Sequence, residues 1–108
     1  MRAGQNRNFV RIEIPVPTKD KFSAVTVEWQ LFNKVWASIE FIKAFEKVAV
    51  AASWPTATNN ISFRYIKGLL PTMRIVFEDK VYSILGINDV DLRHREVVCI
   101  CESGAKAL

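Results

Sequence analysis

The sequence has few of the residues from which metal centres and disulfide frameworks are built. It contains one histidine and two cysteines, and we find no further ligands that would complete a tetrahedral zinc site around them. Cys99 and Cys101 are two apart in a strand-like stretch, so their side chains face the same way and are badly placed for a mutual disulfide. We therefore expect two buried free thiols, and no metal or cofactor.

Glycine and long apolar runs are also scarce. The four glycines, at positions 4, 68, 86 and 104, are too scattered to form a phosphate-binding loop. The longest apolar run, residues 48–52, is far too short to cross a bilayer. The opening MRAGQNRN lacks the apolar segment of a signal peptide. These absences predict a soluble protein, made in a reducing compartment and without a membrane partner.

Catalytic constellations are equally hard to find. No serine lies in a GxSxG motif. His94 lies between two arginines, which disfavour its protonation, and we interpret it as a loop histidine rather than a general base. The acidic pairs Glu78-Asp79 and Asp89/Asp91 fall in chain reversals, where carboxylates commonly accept turn hydrogen bonds. We predict that the protein is not an enzyme.

What the sequence has in abundance is apolar residues that alternate with polar ones. Half of the 108 residues are hydrophobic, and a period of two predicts strands. The alternating segments are residues 10–16, 25–31, 35–41, 61–65, 73–77, 82–86 and 97–101, of which the second and third form one long bent strand or two strands. Small all-β chains hide their edges in barrels or sandwiches. We predict a mainly β fold, a small β-barrel or sandwich of about six strands.

The remaining segments complete a single domain over residues 1–108. Residues 42–53 are rich in alanine with apolar residues at helical spacing, and they precede a Trp-Pro pair, so we predict one short inserted α-helix. We expect a flexible N-terminal arm at residues 1–8, a proline-containing loop at 17–24 and a frayed C-terminus at 103–108.

Basic and aromatic residues raise the question of a nucleic-acid partner. The net charge of +4 suits a polyanion, but many ordinary solvated surfaces carry as much. Phe63 and Tyr65 could form a stacking platform for single-stranded nucleic acid. They lie two and four residues after Ile61, however, so all three side chains point to the same side of the strand, which favours packing in the core. In its own strand Trp36 alternates with the apolar residues Val35 and Ala37, so its side chain points away from the predicted core. It therefore either makes a protein–protein contact or packs under the predicted helix.

Several short motifs, spread from about Arg2 to Glu102, carry a family resemblance. They are an N-terminal Met-x-x-Gly, VWASIE at 35–40, Arg64-Tyr65, Met73-Arg74-Ile75, Tyr82 followed by Ile84, and Asp-x-Asp-x-Arg at 89–93. In this pattern the chain resembles the head–tail joining proteins of tailed bacteriophages, also called head-closure or stopper proteins. Phe22-Ser23 and the stretch before Trp54-Pro55 depart from the family pattern. None of the motifs is catalytic, so the resemblance concerns the structural framework and not a shared chemistry.

The resemblance implies a role in the neck of a virion. The protein would be made in the bacterial host cytoplasm and would form a dodecameric ring between the portal or adaptor ring and the tail proteins. Double-stranded DNA would pass through the lumen, and the ring would close the head after packaging and dock the tail. Two alternatives stay open: a tail-completion protein of the same joining region, and a stand-alone nucleic-acid-binding β-barrel.

A ring multiplies each inward-facing cation by the number of copies, which directs attention to lysines near the predicted helix. Lys43 and Lys47 are four apart on one flank of that helix, and they are our candidates for contact with DNA. The candidates for subunit or ring–ring contacts lie in the arm, in the loop and after the helix. These residues are Arg2, Arg7, Lys19, Lys21, Phe22 and Trp54.

Overall fold

Six antiparallel strands close into one barrel. The structure is a computed structural model that describes residues 7–19, 25–43, 53–89 and 95–106. The strands are β1 (Asn8–Lys19), β2 (Val25–Phe41), β3 (Asn59–Arg64), β4 (Arg74–Phe77), β5 (Lys80–Asp89) and β6 (Glu96–Lys106). Their order around the barrel is β1-β2-β3-β6-β5-β4. The predicted mainly β fold is confirmed, and it is a barrel rather than a sandwich.

The core fills the inside of the barrel with alternate residues of every strand. Val10 and Ile12 of β1, Phe63 of β3, and Cys99 and Cys101 of β6 are completely buried there. Both thiols are free and face the same side, as predicted. Burial raises the pKa of Cys99 to about 12, and burial together with the neighbouring Cys99 raises the pKa of Cys101. The apolar alternation therefore encodes the barrel interior.

The barrel closes at a short seam between β1 and β4. Only three residue pairs join these strands, from Arg11↔Val76 to Glu13↔Arg74. By contrast, β1 pairs with β2 along its whole length, whereas β3 pairs with β2 only at residues 37–41. The distal halves of β1 and β2, residues 14–19 and 25–31, therefore form a two-stranded ribbon with no strand paired to either outer edge.

A bulge in β2 decides which way that ribbon faces. Ile12 pairs with Asn33 and Glu13 pairs with Leu31, so Phe32 is one extra residue in β2. An extra residue reverses the side to which the following side chains point. The apolar residues Val27 and Leu31 of the alternating segment 25–31 therefore face outward rather than into the core: Val27 is 56% exposed and Leu31 is 54% exposed. The two predicted segments are one continuous, bulged strand.

Three of the predicted boundaries are also wrong, because cross-strand pairing continues further than the apolar pattern. β1 extends to Lys19, so residues 17–19 are strand rather than loop, and the hydroxyls of Thr18 and Thr26 lie 2.8 Å apart across the ladder. β6 extends to Lys106 because it pairs with β5, so residues 103–106 are not frayed. Asn8, assigned to the arm, already pairs with Ala37. Residues 1–6, 20–24 and 107–108 lie outside the described residues.

The inserted helix at residues 42–53 is not supported. Of this segment the structure describes only Ile42, Lys43 and Ser53, and none of the three is helical. The backbone N–H of Ile42 instead donates to the carbonyl of Thr58 at 3.1 Å, which continues the pairing of β2 with the chain that enters β3. Residues 44–52 lie outside the described residues. No described segment is a helix with the length and hydrophobicity that a bilayer crossing requires.

Candidate interaction surface

The outer side of the β1–β2 hairpin carries most of the exposed apolar surface. Val10 and Ile12 point into the barrel, so Phe9 and Arg11 point outward, opposite Trp36 and Lys34 respectively. Beyond the bulge the same outer side continues with Leu31 and Val27. We call these six residues the front face. Four of the six exposed large hydrophobic residues in the described part of the chain belong to it.

An aromatic pair forms one end of the front face. The ring centroids of Phe9 and Trp36 lie 5.0 Å apart with an interplanar angle of 47°. Phe9 is nevertheless 49% exposed and Trp36 is 57% exposed. Exposed tryptophan beside a second aromatic ring is typical of protein contact surfaces. Of the two interpretations of Trp36, its exposure favours a contact surface over burial.

Two cations lie directly opposite each other beside this aromatic pair. Arg11 pairs with Lys34 across the ladder, and like charges in that position are destabilising. The Arg11 guanidinium lies 3.7 Å from the carboxylate of Glu13, while the Lys34 ammonium makes no ion pair within the described residues. The front face therefore presents positive charge that the carboxylates of the described part of the chain compensate only in part.

Arg74 contacts both Glu13 and Trp29 in the middle of the same outer surface. Arg74 donates from Nε to the Glu13 carboxylate at 2.8 Å, and its guanidinium carbon lies 4.2 Å from the ring centroid of Trp29. Arg74 and Glu13 side chains are only 13% and 15% exposed, so the contact is shielded from solvent. A cation held against an indole face is favourable. The bulge makes this contact possible, because it turns Trp29 to the outer side.

A different wall of the barrel presents a second outer surface. The buried residues 97, 99 and 101 of β6 alternate with outward-facing Val98, Ile100 and Glu102. The indole of Trp54 lies on Gly86, which is opposite Ile100, and a Cβ at Gly86 would meet its Cζ2 at 2.6 Å. Thr56 Oγ1 donates to Glu102 at 3.2 Å. We call Trp54, Val98, Ile100 and Glu102 the back face, which combines partly buried apolar side chains with a carboxylate.

The described candidate contact residues do not gather in one site. Arg7 is exposed just before β1, and Lys19 ends β1 at the far tip of the ribbon. Lys43 is exposed just after β2, so the whole of β2 separates it from the ribbon tip. Trp54 is half-buried against Gly86. Arg2, Lys21, Phe22 and Lys47 lie outside the described residues.

The hypothesis that Phe63 and Tyr65 form a stacking platform for nucleic acid is wrong. The alternative interpretation, that the side chain packs in the core, is confirmed for Phe63. Phe63 and Ile61 have no exposed surface, so neither can stack on a base. Tyr65 is half-buried, and its backbone N–H donates to the carbonyl of Arg95 at 3.0 Å.

A shallow depression of about 310 Å³ lies at one end of the barrel. Phe41, which is 81% exposed, forms part of its rim. The buried Asn59 at its base donates to the Glu40 carbonyl at 3.2 Å and accepts from Thr58 at 2.7 Å, so its amide is satisfied. No group of metal-binding side chains occurs within the described residues. Asp79, Lys80 and Ser103 also line the depression but form no metal-binding group there, and the outer faces are the stronger candidate site.

Sequence reasoning did not identify most of the front face. It missed Phe9, Arg11 and Lys34 because their role depends on cross-strand pairing. One observation in the sequence did point to it: Phe9 and Trp36 are large aromatic residues at positions where the alternation of their strands predicts polar residues. The outward positions of Val27 and Leu31 could not be read from alternation, since the bulge reverses it.

The fold is a small closed barrel whose outer faces combine apolar and charged side chains. Within this fold class the family is defined by sequence, because a profile described as phage head completion protein matches residues 1–104. The chain belongs to this family. The resemblance to head–tail joining proteins noted in the sequence is confirmed at this level.

Two solved structures share the fold. One is the solution structure of protein SF1141 from Shigella flexneri 2a, with a TM-score of 0.77, 24% identity, and coverage of 97% of this chain and 98% of that chain. The other is a chain of the virion of a native gene transfer agent particle, with a TM-score of 0.61, 16% identity, and coverage of 91% and 94%. No curated protein gives a significant match.

Proposed function

We propose that this protein is a structural component of the virion neck. In this role it forms a homo-oligomeric ring between the portal or adaptor ring and the tail. It closes the head after DNA packaging and provides the surface on which the tail docks. The role is one of assembly rather than catalysis, and the protein acts within the particle rather than in the host cytoplasm where it is made.

The observation that carries this proposal is the family match over residues 1–104. The outer surface of the barrel supports it independently. An isolated soluble domain gains nothing from exposing Phe9, Val27, Leu31 and Trp36 on one side. A subunit that must bind several protein neighbours needs such surface. The virion chain with the same fold is consistent with this role.

DNA contact remains part of the proposal through Lys43 and Lys47. Lys43 is exposed immediately after β2, where the chain leaves the barrel wall. If this side lines the lumen, every subunit adds cations to a collar around the DNA, and a modest charge per chain becomes a strong field. Arg2, Arg7, Lys19, Lys21, Phe22 and Trp54 are retained as proposed contacts with neighbouring subunits or rings.

The proposed role is tested by removing the gene from the phage genome that encodes it and examining the particles by electron microscopy. We expect DNA-filled heads that lack tails and lose their DNA, and we expect restoration when the protein is supplied from a plasmid. Attachment of normal tails without the protein would contradict the proposal. Heads that retain DNA beside incomplete tails would instead identify a tail-completion protein.

The DNA contact is tested by the double variant Lys43→Glu/Lys47→Glu in the same complementation. We expect particles to assemble but to release packaged DNA earlier on storage or heating. The matched control is Lys67→Glu, an exposed lysine in the loop between β3 and β4. DNA retention equal to that of the unmodified protein would remove both lysines from the lumen.

A further inference from the structure

We propose that the front face of one copy binds the back face of the next copy, so that copies associate head to tail. This inference rests on the proposed ring and assigns its subunit contact. The front face is Phe9, Val27, Leu31, Trp36, Arg11 and Lys34, and the back face is Trp54, Val98, Ile100 and Glu102.

The apolar character of the two faces supplies the attraction. The front face exposes about half of each of four large hydrophobic side chains, between 49% and 57%. The back face offers Val98 and Ile100, both half-buried, beside the indole edge of Trp54. Stable interfaces bury about 800 Å² on each partner, which is roughly a tenth of the 7490 Å² surface of this chain. One outer wall of the barrel is large enough to supply it.

Charge decides between a second front face and a back face as the partner. The front face carries two cations, Arg11 and Lys34, and no carboxylate. The outward carboxylates of these two strands are Glu13, which lies 3.7 Å from Arg11, and Glu40, which lies beyond Trp36 on β2. Two such surfaces repel each other, so a symmetric front-to-front dimer is unfavourable.

The back face carries the carboxylate of Glu102, and the outward cation on the neighbouring strand β3, Arg64, lies opposite Glu96. Lys34, which makes no ion pair within the described residues, is therefore matched by the carboxylate of Glu102 on a different face.

The strand order places the two faces on different walls. Two strands separate β1 from β6 in either direction around the barrel, and β3 separates β6 from β2, which carries the other four front-face residues. A contact between two different surfaces is heterologous, and repetition of it builds a ring when the rotation closes. Faces on different walls allow each copy to bind one neighbour on each side without competition.

Cysteine cross-linking tests the contact directly. The variant Lys34→Cys/Glu102→Cys is treated with a short bismaleimide at neutral pH. Millimolar protein concentration is used so that even a contact with a Kd of about 1 mM is populated and trapped. Cys99 and Cys101 do not interfere, because both are buried and protonated at neutral pH. We expect a ladder of covalent oligomers that persists in 1 M salt, because this variant lacks both charges and the apolar side chains of the two faces supply the attraction.

Single variants make the result unambiguous. We expect Lys34→Cys alone and Glu102→Cys alone to remain monomeric, and a mixture of the two to stop at covalent dimers. Dimers from Lys34→Cys alone would show a symmetric contact and overturn the proposal. Monomers from the double variant would overturn it too, provided that circular dichroism shows a folded barrel.

A matched control and the phage complementation separate this inference from the proposed function. The control variant Lys34→Cys/Lys67→Cys pairs the front face with an exposed lysine that lies on neither face, and it should give no ladder. If deletion of the gene yields tailless heads but the double variant gives no ladder, the function stands and the contact falls. If the ladder forms but deletion has no effect on particles, the contact stands and the neck role falls.

Discussion

The two halves of β2 have the same apolar alternation and opposite surroundings. Residues 33–41 belong to the barrel wall, and Ala37 is completely buried between β1 and β3. Residues 25–31 belong to the ribbon, and Val27 and Leu31 are more than half exposed. The difference comes from one extra residue, Phe32, and from the absence of a third strand beside the ribbon. An alternation of apolar and polar residues with period two therefore shows that a strand has two unlike sides. It does not show which of the two sides is buried.

Interior and exterior aromatic residues should differ most when truncated. Phe63→Ala removes a fully buried ring from the barrel, and we expect it to lower the free energy of unfolding by about 3–5 kcal/mol. Trp36→Ala removes a larger ring from the front face, and we expect a change within about 0.5 kcal/mol. Urea unfolding curves measure both. Equal costs would show that the front face is part of the folding core.

The buried thiols should make the barrel less stable in alkali. Burial raises the pKa of Cys99 from its ordinary value of 9.0 to about 12 in the folded protein, so unfolding releases a proton between these pH values. The stabilisation is complete below pH 9.0, and it is lost at about 1.4 kcal/mol per pH unit above it. Cys101 acts in the same direction.

The measurement is urea unfolding from pH 8 to pH 11, compared with Cys99→Ala/Cys101→Ala. Tyrosine and lysine also titrate in this range, so the difference between the two proteins is the relevant quantity. The variant is expected to be less stable at pH 8 but to show a shallower loss. Parallel pH profiles would mean that the thiols ionise within the folded barrel.

The same substitution on either side of the bulge tests the comparison within one strand. Val35→Ala removes two methyl groups that pack against the core, with an expected cost of about 1–2 kcal/mol. Val27→Ala makes the identical change at a position that is 56% exposed, with an expected cost within about 0.5 kcal/mol. Thermal unfolding followed by circular dichroism compares them. A larger cost at Val27 would place the ribbon's outer side in the core.

The smallest expected effect is a gain at the turn between β4 and β5. Glu78 has φ of 56°, a conformation that costs a non-glycine residue about 1 kcal/mol. Glu78→Gly should therefore raise stability by up to about 1 kcal/mol. Asp79→Gly is the matched control, because Asp79 does not have positive φ and gains no such relief. A gain at Asp79 and a loss at Glu78 would contradict the turn geometry.

Much of the barrel could be predicted from the sequence, and the reasons are physical. Inward positions such as Val10, Phe63 and Cys99 follow from alternation, because a residue buried on one side of a wall must be apolar. The turn at Glu78-Asp79 was recognisable from its charged residues. The fold class needed no tertiary information beyond the number of strands and the need to hide their edges.

The outer faces could not be predicted in the same way. Arg11 and Lys34 meet only through the register of β1 and β2, and Trp29 reaches Arg74 only because the bulge turns it outward. The predicted helix rested on alanine content and helical spacing, and neither criterion detects that Ile42 continues the pairing of β2. Trp54 was selected for its place after the predicted helix, but its indole packs against Gly86 and is only partly exposed.

The three-pair seam between β1 and β4 also has a kinetic consequence. Some sixty residues of chain separate Glu13 from its partner Arg74, so this pairing has a far higher contact order than the two hairpins. Closing so long a loop is entropically costly until other strands have brought the two ends together. The hairpins β1–β2 and β5–β6 are therefore expected to form early, and β1 meets β4 late, when the hydrogen bond between Glu13 and Arg74 completes the barrel.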